Sequence, residues 1–179
     1  RSAADDFPRL RLELAGLLSR TGRLNEAFDI CQAELSSNRN SVVTVSRIGI
    51  MGLTESRGHI SPESPEFQKV ENWIRQGLRE LPDSKRMLLH HAYLNELKGE
   101  HELAAELYRK YLTRRNLTYA DRAIAANNLA MLEVGMNRCS AARAHIDQAI
   151  DMLGTNAALL DTRAMVRPCR GEDHDVEQA

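Results

Sequence analysis

Apolar residues recur at intervals of three and four along most of this chain, the spacing of one face of an α-helix. The stretch from Leu88 to Leu112 shows the pattern twice, and Lys98-Gly99-Glu100 interrupts it between the two segments. A short amphipathic helix cannot bury its apolar stripe alone, so each of these segments requires a partner helix. The same arrangement is found before and after this stretch. The pattern therefore predicts a series of helical hairpins and an all-α fold.

One short run of β-branched residues is the only segment that suggests a strand. Val42-Val43-Thr44-Val45 continues into Ile48, Met51 and Leu53 at helical spacing. Because this periodicity extends over more residues than the β-branched run, the segment is predicted to be a helix.

Two glycine-led turns are similar to each other. Gly22-Arg23-Leu24-Asn25-Glu26-Ala27 matches Gly99-Glu100-His101-Glu102-Leu103-Ala104. In both, Gly closes one helix and a small Ala lies one turn into the next helix. The positions of Leu, small residues, Ala and Pro follow in the order of the tetratricopeptide repeat, which the chain resembles, a helix-turn-helix unit of about 34 residues. This resemblance implies a right-handed solenoid of antiparallel helical hairpins.

The resemblance implies a domain organisation of about four repeats and a partial fifth. The Ser-, Gly- and Pro-rich segment 56–66 is predicted to be a loop inserted in the second repeat. Ser64-Pro65 and Thr118-Tyr119-Ala120-Asp121 are predicted helix starts. The expected segments are a flank at 1–7, the repeat domain at 8–166 with repeats at 8–41, 42–84, 85–122 and 123–156 and a partial one from 157, and a disordered acidic tail at 167–179.

A related helical-hairpin family is the alternative to tetratricopeptide repeats. Positions at which the family often has an aromatic residue are occupied here by Leu18, Gly52, Asn95 and Glu133. The pairs of a Leu or Ile with a small residue expected inside the first helix of a repeat are Leu14-Ala15, Ile48-Gly49 and Leu129-Ala130. The partial fifth repeat is expected to begin at Ala157 with Leu159-Leu160. In either family, neighbouring hairpins would bury one continuous core.

Charge and hydropathy exclude several classes of protein. The net charge is −1 with 27% charged residues, so no overall field favours nucleic acid or an acidic membrane. The basic cluster Arg109, Lys110, Arg114 and Arg115 is interpreted as a complement to a helix C-terminus, because a nucleic-acid interface requires a larger patch with stacking aromatics. No apolar run approaches the roughly 18 residues of a membrane span. We therefore expect no nucleic acid partner and no membrane span.

The three cysteines and the start of the chain bear on the cellular compartment. Cys31, Cys139 and Cys169 are odd in number and far apart, which argues against a disulfide framework and for a reducing compartment. The first residues contain no apolar segment typical of a signal peptide. A cytoplasmic location is expected. Cys139 is interpreted as a small apolar filler, with a thiol activated by nearby arginines as the alternative.

No pattern typical of a catalytic site is present. The chain lacks a Gly-rich phosphate loop, a GxSxG motif and an HExxH motif. His90 and His91 are adjacent, so their rings diverge on a helix and make a poor metal pair. Trp73 lies at helical spacing from Phe67 and Val70 and is predicted to be a core residue. We therefore predict neither enzymatic activity nor a cofactor or metal.

The resemblance implies that a peptide binds in the groove lined by the first helix of each repeat. The Arg, Asn and His donors there, mixed with apolar residues, suit an extended peptide with acidic groups or a free carboxylate. Leu12, Gly16 and Arg47 differ from the set with which some members clamp a C-terminal carboxylate, which disfavours a chaperone-tail clamp. The implied groove residues are Arg9, Leu12, Gly16, Val43, Arg47, Ile50, Arg86, Leu89, His90, Tyr93, Asn127, Asn128 and Met131.

The resulting hypothesis is a non-catalytic scaffold that binds a protein or peptide partner on its concave face. The end of a repeat array exposes an apolar hairpin face, so we expect the chain to belong to a longer protein or to self-associate through an end. Two alternatives stay open. One is a substrate-recruiting or regulatory module of a larger multidomain protein, and the other is a small-molecule sensor with a pocket around His90, Tyr93 and Asn127.

Overall fold

The described residues form an all-helical structure, which confirms the predicted all-α class. The structure is a computed structural model, and it describes residues 7–56 and 59–169. A helix begins at Val42, so the segment that resembled a strand is helical as predicted. The helices are α1 Pro8–Arg20, α2 Leu24–Ser37, α3 Val42–Glu55, α4 Pro65–Glu80, α5 Lys85–Leu97, α6 His101–Leu112, α7 Tyr119–Gly135, α8 Cys139–Leu153 and α9 Ala157–Val166.

Side-chain caps fix the two helix starts that the sequence predicted. The Ser64 hydroxyl accepts a hydrogen bond from the Phe67 backbone N–H at 3.2 Å, and Pro65 is the first residue of α4. At the start of α7, the Asp121 N–H donates to Thr118 Oγ1 at 3.0 Å, and the Thr118 N–H donates to Asp121 Oδ2 at 3.1 Å. Each cap satisfies backbone N–H groups that have no partner within the helix.

Left-handed residues end the helices at the glycine-led turns. Gly22 has a φ of 80° and Gly99 a φ of 77°, a region that favours glycine because it has no Cβ. Asn137 has a φ of 60° in the corresponding turn between α7 and α8. Asn tolerates this region better than most residues with a side chain. Gly22 and Gly99 therefore close helices as their sequence contexts predicted.

The chain divides into two compact units, residues 1–99 and 100–179. We call them the first unit and the second unit. The boundary follows Gly99, in the turn between α5 and α6. It therefore falls inside the segment 85–122 expected to be the third repeat.

In the first unit, alternate helices pack on each other. Helix α1 packs on α2 and α3, and α3 packs on α4 and α5, so α1, α3 and α5 follow one another across the unit. Helix α2 also packs on α4. Trp73 is 3% exposed, and its ring meets that of Phe28 edge to face at a centroid distance of 5.2 Å. The prediction of a core position for Trp73 is confirmed.

The small residue of the Ile48-Gly49 pair permits close packing of α3 against α4. Both residues are buried. A Cβ at Gly49 would lie 2.7 Å from Val70 Cγ2, closer than real Cβ atoms approach. A larger residue at this point would therefore require the Val70 side chain or α4 itself to shift.

In the second unit, alanines dominate the contact between helices. Helix α6 packs on α7, α7 packs on α8, and α9 packs on both α7 and α8. The pair Leu129 and Ala130 is fully buried, as expected. Small side chains bring the helix axes close together, and the core cluster is formed by Ala123, Ala126, Ala130, Ala142, Ala149, Ile146, Leu159 and Val166.

The first predicted pair is only partly buried. Ala15 is buried, but Leu14 is 47% exposed. In α9, Leu159 is buried and Leu160 is 46% exposed. Helix α1 packs on α2 and α3, which cover only part of its circumference. Phe7, Leu10, Leu14 and Leu17 lie at helical spacing and are each about half exposed.

The prediction that the cysteines are unpaired is wrong. Cys139 and Cys169 form a disulfide, with Cα atoms 5.5 Å apart. Helix α9 packs on α8, and the residues after α9 return to the first residue of α8. Cys139 and Cys169, 30 residues apart in sequence, are therefore in contact. Cys31 is free, as predicted, and it is buried. The argument for a reducing compartment from unpaired cysteines therefore no longer holds.

Parts of three predicted segments lie outside the described residues. These are residues 1–6 of the flank, 57 and 58 of the inserted loop, and 170–179 of the acidic tail. Residues 167–169 of the tail segment are described, and the Cys169 N–H donates to the Val166 carbonyl at 3.1 Å. In the described part of the chain, no helix combines the length and apolar character needed to cross a bilayer.

Candidate binding groove

An open groove of about 730 Å³ lies in the first unit between α1 and α3. Helix α1 forms one side, and Thr44 and Arg47 of α3 form the other. The end of α2 and the short turn after it contribute Glu34, Asn38 and Ser41. The remaining lining residues are Pro8, Arg9, Leu12, Glu13, Gly16, Leu17 and Arg20.

Both carboxylates of the groove have cationic partners. Glu34 is fully buried, and its Oε2 forms an ion pair with Arg11 Nη2 at 3.4 Å. The Ser41 hydroxyl donates to Glu34 Oε1 at 3.2 Å. On the opposite side, Arg9 Nε donates to Glu13 Oε1 at 3.0 Å. The negative charges of the groove are therefore neutralised within the first unit.

Two guanidinium groups of the groove have no partner among the described residues. Arg20 and Arg47 are exposed, and neither hydrogen bonds to nor forms an ion pair with any residue in 7–56 or 59–169. Leu12 and Leu17 supply apolar surface in the same groove. The groove thus has a net positive charge beside an apolar surface.

Arg47 of α3 also lies near His90, a buried histidine of α5. His90 of α5 is 7% exposed, and no described residue hydrogen bonds to its Nδ1. Burial, together with the positive charges of Arg47 and Arg86, lowers the pKa of His90 to about 4. Since this is far below neutral pH, the imidazole is uncharged under ordinary conditions.

The structure brings only some of the implied groove residues together. Arg9, Leu12, Gly16 and Arg47 line the groove. Ile50 and His90 are each 7% exposed, so the expectation that they present a surface to a partner is not met. Their side of each helix is covered because α3 and α5 pack on each other. Of the remaining residues in the first unit, Val43, Leu89 and Tyr93 are half-buried and Arg86 is exposed.

The other three implied residues belong to α7 in the second unit. Met131 is exposed, and Asn127 and Asn128 are half-buried. Asn128 Nδ2 donates to the hydroxyl of the buried Tyr108 at 3.2 Å. The Oδ1 of Asn127 is buried, and no described residue donates a hydrogen bond to it. Asn128 therefore joins α7 to α6 within its own unit.

Sequence reasoning missed Arg20 and Glu34. Arg20 follows Leu12 and Gly16 by eight and four residues, so helical spacing alone would have placed it on the same face. Glu34 carried no such signal, because a single Glu in an amphipathic helix is usually solvated.

A second polar cluster lies in the second unit around a buried carboxylate. Glu133 of α7 is 1% exposed. Its Oε1 accepts a hydrogen bond from Arg109 Nη2 at 3.1 Å, and its Oε2 lies 2.7 Å from His145 Nδ1. Arg109 of the basic cluster thus has a partner within the fold. Among the described residues, no group of three or more His, Cys, Asp and Glu side chains is arranged to hold a metal ion.

Comparison of the chain with known proteins yields no relative. No protein-family model, no curated protein and no solved structure matches it. The function is therefore inferred from the residues and charges of the groove.

Burial of His90 predicts that the first unit loses stability in acid. The unfolded chain takes up a proton at His90 below about pH 6.5, whereas the native chain does so only near a pKa of about 4. The stability present above pH 6.5 is therefore lost as the pH falls through this window, by about 1.4 kcal/mol per pH unit. His90→Gln removes this contribution.

The test is urea denaturation at several pH values, followed by fluorescence of Trp73, the single tryptophan of the chain. The parent is expected to lose more stability than His90→Gln between pH 6.5 and 4.5. Parallel losses in the two proteins would contradict an uncharged, buried His90.

Proposed function

We propose that the chain is a non-catalytic interaction module that binds an acidic peptide segment in the groove between α1 and α3. The single observation that carries the proposal is the pair of exposed guanidiniums, Arg20 and Arg47, beside Leu12 and Leu17. Guanidinium groups bind carboxylates through charge-assisted hydrogen bonds. Apolar side chains of the peptide would cover the two leucines.

Neutralisation of Glu13 and Glu34 inside the unit supports an acidic ligand rather than a basic one. A basic peptide would face Arg20 and Arg47, whereas the buried Glu34 is already paired with Arg11 and the exposed Glu13 lies beside Arg9. Like charges brought together at an interface disfavour binding. The charge of the groove therefore selects against basic partners.

The succession of α1, α3 and α5 in the first unit supports repeats of the tetratricopeptide kind. We propose that these are the first helices of successive hairpins, with α1 and α3 as the groove-lining pair. A module of this type suits either an independent scaffold or a recruiting module of a larger protein. In both settings the groove would recognise an extended segment.

Binding is expected for an acidic peptide and is tested by fluorescence anisotropy. The probe is a labelled peptide of about ten residues with alternating Glu and Leu, compared with its Gln-Leu and Lys-Leu counterparts. Arg20→Ala and Arg47→Ala are each expected to weaken binding of the Glu-Leu peptide about tenfold or more, since a hydrogen bond to a charged group contributes about 1.5–3 kcal/mol.

Arg79→Ala is the matched control. Arg79 is exposed on α4, lies outside the groove and has no ion-pair partner among the described residues, so the variant removes the same charge elsewhere. It should leave the affinity unchanged. Equal affinity for the Glu-Leu and Gln-Leu peptides, or equal losses in Arg79→Ala and Arg47→Ala, would refute the proposal.

A further inference from the structure

The Cys139–Cys169 disulfide joins the two ends of the α8–α9 hairpin. Cys139 is the first residue of α8, and Cys169 comes three residues after the end of α9. The bond therefore closes a loop that contains both helices. Cys139 is 5% exposed, whereas Cys169 is half-buried and more accessible.

Helix α9 packs on α7 and α8 through one short face in the described part of the chain. Its buried residues are Leu159, Thr162 and Val166. Its ion pair to α8, from Arg163 Nη2 to Asp147 Oδ1 at 3.4 Å, joins two half-exposed side chains. Exposed ion pairs contribute little to stability. The disulfide therefore adds a covalent constraint to the packing that keeps this ten-residue helix in place.

We propose that the Cys139–Cys169 disulfide is a redox latch that holds α9 on α7 and α8 and releases it when a dithiol reduces the bond. Release would uncover the apolar surface that Leu159 and Val166 cover in the oxidised protein. That surface includes Ala126, Ile146 and Ala149. Reduction thereby converts a buried core face into an exposed apolar patch.

The difference in exposure between the two cysteine residues gives the exchange a direction. A thiolate of the dithiol attacks the sulfur of Cys169, the more exposed residue of the two, and forms a mixed disulfide with it. The Cys139–Cys169 bond breaks, and its electron pair leaves on Cys139 Sγ, at the N-terminus of α8, where a thiolate is stabilised before water protonates it. The second thiol of the dithiol then attacks the mixed disulfide. This step releases the Cys169 thiolate and the oxidised, cyclic dithiol.

The remaining cysteine offers an internal control. Cys31 is fully buried in α2, and burial raises the pKa of its thiol to about 12. A thiol that is both protonated and inaccessible does not take part in exchange. Cys31→Ser should therefore respond to reductant as the parent does.

Hydrogen exchange of the full chain with and without dithiothreitol tests the latch. Reduction is expected to accelerate exchange in residues 157–169 by at least about a hundredfold while α7 and α8 keep most of their protection. The midpoint temperature of thermal unfolding of the second unit should fall by about 10 °C or more on reduction. Cys169→Ser should show both effects without reductant, and should not respond to it further.

Monothiol trapping checks the direction separately. Glutathione is expected to form its mixed disulfide on the peptide containing Cys169, as seen by mass spectrometry after digestion. The latch is overturned if complete reduction leaves the protection of α9 unchanged. It is also overturned if α6 to α9 lose protection together, because the bond would then stabilise the whole second unit rather than α9 alone. A bond that millimolar dithiothreitol fails to reduce in the native protein would exclude a switch as well.

Discussion

Replacement of Trp73 by alanine is expected to destabilise the first unit by about 3–5 kcal/mol. The side chain is 3% exposed, and its ring packs edge to face against Phe28 at 5.2 Å. Trp73 Nε1 also donates to Gln32 Oε1 at 3.0 Å, so the ring joins α4 to α2 in two ways. Truncation removes this apolar surface and leaves a cavity beside α3, next to Gly49.

The measurement is urea denaturation followed by far-ultraviolet circular dichroism, because the variant has no tryptophan left to report. Trp73→Phe is the matched control. It keeps an aromatic ring but loses the N–H donor, and the expected loss in the free energy of unfolding is about 1–2 kcal/mol. A loss below about 1 kcal/mol for Trp73→Ala would show that the ring does not anchor the contact between α2 and α4.

Removal of Arg109 and His145, the two side chains that contact the Glu133 carboxylate, is expected to destabilise the second unit by about 3–5 kcal/mol. In the double variant Arg109→Ala with His145→Ala, the carboxylate, which is 1% exposed in the parent, loses both partners. An unpaired buried charge costs far more than an exposed one. By contrast, Glu133→Ala alone leaves a guanidinium and an imidazole that are already 45% and 24% exposed and can be solvated. The expected loss of stability in Glu133→Ala is therefore smaller than in the double variant.

A rescue experiment separates this charge effect from lost packing. Adding Glu133→Gln to the double variant removes the stranded charge while preserving the shape of the side chain. The triple variant is expected to recover a large part of the lost stability in denaturation at pH 7. No recovery would mean that Arg109 and His145 act through packing rather than by neutralising Glu133.

The helices were predictable because their signals are local. Apolar spacing, Gly22, Gly99 and the caps at Ser64 and Thr118 each act over a few residues, and the structure has helix ends at these points. The groove was partly predictable for the same reason. Arg9, Leu12 and Arg47 share helical faces that follow from spacing, although membership of one groove also requires α1 to pack on α3.

The errors arose where the environment of a residue depends on distant parts of the chain. Leu14 has the same local pattern as Ile48, but no described helix covers its side of α1. Ile50 and His90 matched groove positions, yet packing between α3 and α5 buries them. Periodicity shows which residues share a face of a helix. It does not show which faces meet another helix.

The sequence by itself determined the all-helical class, several helix boundaries and the residues that lie on each helix face, because hydrogen bonds and side-chain spacing in a helix are local. Only the tertiary structure decided the partners of the charged and sulfur-containing groups. It paired Glu34 with Arg11, Glu133 with Arg109 and His145, and Cys139 with Cys169. It also left Arg20 and Arg47 without a partner in the described chain. Such pairings depend on distances between separate helices, and these distances are set by packing rather than by the order of residues.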